Sequence, residues 1–195
     1  MDGVTHTIAR LSAWAAQWSL ALGAVIVLGA LFRGVARNAR STALQYACLA
    51  SFVVVESVLF VPVLTRAAAE VPAAIRNAGL LTLIAFACGT VTAFALRRDL
   101  SFLGTLVQSG LSLGLIAVVT ALAFDFDLGT GFALVMLVTA SLALLHDVSA
   151  VLQDADEEDE ARGAGSRDLH AAASLSLFAS MALLFWSALS LFVSS

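Results

Sequence analysis

The sequence predicts an all-α integral membrane protein, a bundle of six transmembrane helices, on three observations. Mean hydropathy is +0.97 over 195 residues. Six long stretches carry almost no charge, and the connections between them are short except for the last. A helix needs about 20 apolar residues to cross the hydrocarbon core, which each stretch meets or nearly meets. Runs of this length rich in Ala, Leu and Gly suit helices better than the alternating ten-residue strands of a barrel.

In chain order the spans are expected at about 11–32, 42–65, 77–96, 101–124, 128–151 and 171–193 of a single domain spanning 1–195, with breaks near 33–41, 66–76, 97–100, 125–128 and 153–169. The first run, Leu11 to Phe32, is longer than the apolar region of a secretion signal, and Arg33, Arg37 and Arg40 follow it, so it is read as a span. The second is broken only by Glu56, and Pro62 is expected to bend it and free a carbonyl towards a cavity. Gly110 and Gly114 form a GxxxG on the fourth, a packing notch. Cys48 and Cys88 lie in apolar spans without metal-like spacing and read as small buried hydrophobes.

All ten basic residues are arginine: seven fall in 33–40, 97–98 and 152–170, while Arg10, Arg66 and Arg76 lie on the other side. The heavier side should be cytoplasmic, with both termini outward and Trp14, Trp18 and Trp186 near the outer boundary. The total absence of lysine points to a microbial cell membrane and removes a retinal protein, whose Schiff base needs one.

The net charge of −4 comes largely from DADEEDE at 154–160, within the segment 153–169, which is expected to be a solvated cytoplasmic loop. It lacks the glycine and terminal glutamate of an EF-hand. No nucleophile with its base, phosphate-binding loop or haem ligand pair is present in the sequence, so no enzyme is expected, and neither cofactor nor nucleic-acid partner.

From the second span onward the chain resembles the Bax inhibitor family, the transmembrane Bax-inhibitor-motif proteins. Ala78, Thr82 and Phe86 match a spaced A-x-x-x-T-x-x-x-F, and RRDLSFLG at 97–104 is similar to the family's basic-D-[LF]-S-[FW]-L connection. LLHDVSAVL at 144–152 resembles its L-Y-D-x-x-x-I segment, and AAASLSLFASMALLF from Ala171 has the outline of its final helix. The resemblance covers about 43–192 and implies a seven-helix bundle, here with the first span missing. It also implies a pH-sensitive calcium leak gated by two aspartates on the last two helices. Asp147 falls on the first of those positions, whereas Ser180 stands where the second is expected, so the di-carboxylate site is incomplete.

Without any family, an acid inside a membrane usually faces a bundle interior or wet cavity. Asp147 shares a helix face with Ala140, Ala143 and Ala150, small residues that favour helix contact over lipid. It equally fits a hydrated acid near the cytoplasmic end, paired with Arg97 or Arg98. Counting along ideal helices puts Glu56 ~20 Å, Ser180 ~15 Å and Asp147 ~9 Å from that end. A gap of ~11 Å separates the two acids, too far for direct pairing. Glu56 also fits a protonated acid bonded to a neighbouring helix. Ser180 shares a face with Ala173, Ser176 and Ser187, a polar ladder, while His146 and His170 bracket the acidic segment as possible pH sensors or, with Asp147, metal ligands of no set spacing.

The expected function is a Bax-inhibitor-like leak for calcium or another cation, with Asp147, Ser180 and Glu56 as pathway or gate. The competing expectation, from the incomplete pair, is a non-conducting scaffold or regulator in the bilayer that binds another membrane protein such as a membrane protease.

Overall fold

The computed structural model describes residues 22–35, 38, 41–96, 101–124, 128–160 and 169–194. Six helices account for nearly all of them: α1 (Leu22–Val35), α2 (Thr42–Glu70), α3 (Pro72–Leu96), α4 (Ser101–Phe124), α5 (Gly129–Glu160) and α6 (Leu169–Ser194). Five are long and apolar enough to cross a membrane, and the described part of α1 is apolar as well. The chain is an all-α multi-pass membrane protein. Trp14 and Trp18 and the expected start of the first span lie outside the described residues.

Three element boundaries differ from expectation. The break at 66–76 shrinks to Val71, because Ala67–Ala69 are strong helix formers, Glu70 pairs with Arg66 one turn back at 3.2 Å, and Pro72 can open α3 without an N–H. Helix α1 runs on to Val35, so Arg33 belongs to a helix and not to the following loop. The segment at 154–160 continues α5 to Glu160 instead of starting a loop at 153, since no Gly or Pro interrupts it before Gly163. At the other end of α5, Gly129 takes φ 64°, a left-handed conformation that glycine adopts without strain.

Helix α6 is the centre. It touches α2, α3 and α5, and 44% of its span is buried against 17% for α2 and α3, so these expose broad apolar faces to lipid. Leu175, Leu184, Trp186 and Leu189 on α6 are fully buried or nearly so. Trp186 is therefore not a boundary anchor: its ring meets Phe60 edge-on at 5.3 Å inside the bundle. Between α1, α2 and α6, Phe52 packs against Phe32 and Phe178, with ring centroids 5.5 and 6.0 Å away. Cys48 is buried beside it, whereas Cys88 is exposed on the outward face of α3, because helical periodicity outweighs the mild apolarity of a thiol. Pro62 and Val58 are likewise exposed, so the carbonyl that Pro62 frees points away from the interior.

Helices α4 and α5 approach through the GxxxG. A Cβ at Gly110 would lie 2.7 Å from Thr139 Cγ2, and one at Gly114 2.6 Å from Met136 Sδ. Thr139 cannot yield easily, being β-branched with its hydroxyl donated to the Val135 carbonyl at 2.9 Å. Gly110→Val is expected to destabilise the protein by about 1–3 kcal/mol through overpacking. Gly79→Ala, where a Cβ meets nothing within 4 Å, should be neutral or stabilising. Thermal unfolding in detergent, followed by circular dichroism, distinguishes the two, and equal midpoints would refute the notch.

Candidate functional site

Asp147 lies on α5 one helical turn beyond the buried Ala143 and Leu144, a face that must meet α6. Opposite it, Ser176 and Ser180 are four residues apart and therefore stacked on one side of α6. Both hydroxyls donate to the carboxylate, Ser176 to Oδ1 at 2.8 Å and Ser180 to Oδ2 at 2.5 Å. Asp147 thus staples the two central helices together. The polar ladder stops there, because the Ser187 hydroxyl is donated to its own helix at the Leu183 carbonyl.

The carboxylate also borders a cavity of about 530 Å³ between α1, α4, α5 and α6. Its polar lining includes Arg33, Gln108, Ser112, His146, Asp147 and Ser176. Arg33 donates its Nε to the Gly29 carbonyl at 2.9 Å, which fixes the guanidinium at the α1 side. His146 packs against Gly104, where a Cβ would come within 3.2 Å of its ring, and its Nδ1 is buried with no hydrogen-bond partner among the described residues. His170 lies in the first turn of α6, but its side chain is outside the described residues, as are Arg97 and Arg98. Among the described residues no group of three or more His, Cys, Asp or Glu side chains could hold a metal.

Glu56 belongs to a different setting. It is 2% exposed, and neither carboxylate oxygen has a hydrogen-bond partner among the described residues. The ring contacts fix its level: Phe52 meets Phe178 and Phe60 meets Trp186, so α2 and α6 run parallel with Glu56 beside Ala182. Asp147, bonded to Ser176 and Ser180, sits at the level of Phe178. The axial gap between the acids is then ~6 Å and not ~11 Å. Counting from the end of α5 overestimated it, because that helix does not end at the expected place and its side chain reaches Ser180 directly.

Of the residues the sequence singles out, the fold joins Asp147 and Ser180, sets His146 on the same cavity as Asp147, and places Glu56 near them in a separate environment. Arg33 is a site residue that sequence reasoning missed. The available signal was its position directly after an apolar run, where one more helical turn carries it inward.

A family model described as "Inhibitor of apoptosis-promoting Bax1" matches residues 3–195, so the correspondence also takes in the first apolar run. No curated protein sequence matches the chain significantly. On that match across nearly the whole length, together with the helical membrane bundle, the chain belongs to the Bax inhibitor family.

Proposed function

We propose that this protein is a low-flux cation leak in which Asp147 attracts the ion, with calcium the ion suggested by the family. The observation that carries the reading is a carboxylate held by two serines at the wall of a cavity. Two hydroxyl donors orient the group, and each oxygen keeps a further lone pair to meet a cation. An acid inside a membrane is costly and is usually retained where such a role repays it. Arg33 on the same cavity opposes cation access, which fits a small flux. In this reading Ser180 replaces the second acid of the family pair, so the site works with one carboxylate and responds weakly to pH. The arginine-rich side faces the cytoplasm and both termini face outward. Neither this reading nor its competitor involves catalysis.

Asp147→Asn should lower calcium uptake by liposomes containing the purified protein by about tenfold, since it removes the charge that concentrates cations while keeping the shape. Equal uptake by wild type and variant would reject Asp147 as the attracting group. The second reading is a non-conducting scaffold that binds another membrane protein, and it is favoured by the serine hydroxyls that already tie Asp147 between α5 and α6. Absence of uptake above empty liposomes in both proteins would support it and reject the leak.

A further inference from the structure

The cavity beside Asp147 has two unlike ends. One end carries the guanidinium of Arg33, the His146 ring and the Asp147 carboxylate. Its other end is a cleft between α1 and α4 with apolar walls such as Val27, Leu31 and Leu115. Val27 is 40% and Leu31 58% exposed, so these walls are continuous with the lipid-facing surface. The two helices come close at Gly23, where a Cβ would lie 3.1 Å from Val118, and the cleft lies on the Arg33 side of that contact. A purely aqueous ion vestibule has no need of such a side wall.

We propose that this cleft binds one phospholipid with a primary-amine headgroup, its phosphate against Arg33 and His146 and its ammonium against Asp147. The charge pattern selects the class. A cation and a carboxylate on one cavity complement a zwitterion, and the two serines leave Asp147 lone pairs able to accept from an ammonium. A choline head has no N–H to donate to the carboxylate, and a glycerol head brings no cation. A volume of about 530 Å³ lies within the ~300–1,000 Å³ typical of ligand sites. It holds a headgroup and the upper part of one chain, while the remaining chain length lies along α1 and α4 in the bilayer.

The proposal concerns binding and stands or falls independently of ion flux. It is tested by native mass spectrometry of the full-length protein in detergent, offered equal amounts of dioleoyl lipids with ethanolamine, choline and glycerol heads. The ethanolamine lipid should be retained about tenfold better than either other, the effect of one charge-assisted hydrogen bond. Asp147→Asn should erase that preference, and Ala30→Trp, which fills the cleft, should abolish retention of all three. Val61→Trp, on the exposed face of α2, should change nothing. Equal retention of the three lipids by the wild type, or a preference that survives Asp147→Asn, overturns the proposal, and neither outcome depends on whether Ala30→Trp folds.

Discussion

Glu56→Leu will raise the unfolding midpoint of the purified protein, and Asp147→Leu will lower it. Both remove an acid from a membrane-spanning helix, so the opposite signs come from their surroundings. Glu56 is buried beside the fully buried Phe52, with no hydrogen bond to either oxygen among the described residues. Exchanging such a group for an apolar one of similar volume removes a desolvation cost, typically stabilising by about 1–4 kcal/mol. Asp147→Leu instead breaks both bonds that join α5 to α6. Interhelical hydrogen bonds in membrane proteins average about 0.6 kcal/mol and reach about 1.7, so losing two costs roughly 1–3 kcal/mol. The serines can turn back to their own helix carbonyls, which caps the loss. Midpoints that move in the same direction for both variants would show that the two acids share one environment.

Ser180→Asp has the largest expected effect on function. Ser180 is 2% exposed and its hydroxyl already touches the Asp147 carboxylate, so the new acid has nowhere to point except at the old one. Two carboxylates at that separation cannot readily both be charged, and they hold a proton between them. The charge facing the cavity then changes with pH as a property of the pair. The wild type, with one acid and two hydroxyls, lacks that coupling.

Hydropathy alone made the bundle legible, because every span is a long run of apolar residues and a bilayer admits few other structures. The ends were less legible. Arg66, Glu70 and the acidic stretch at 154–160 bring charge that argues for loops, although both segments contain helix-forming residues and no breaker. Of the site, Asp147 and Ser180 were visible through their rarity and helical spacing. Their direct contact was not, since a depth counted from a helix end inherits every error in that end. Trp186 shows the same limit: a tryptophan near a span end suits either a headgroup boundary or a packed interior, and only the position of Phe60 decides between them.

The most direct test of the single-carboxylate account is calcium uptake by proteoliposomes as a function of pH, in wild type and Ser180→Asp side by side. The account predicts a shallow pH dependence for wild type and a steep fall in uptake on acidification for the variant, as its carboxylate pair takes up protons. A steep, two-proton dependence already present in the wild type would contradict it and would require a second acid, Glu56 first, to come within coupling distance of Asp147.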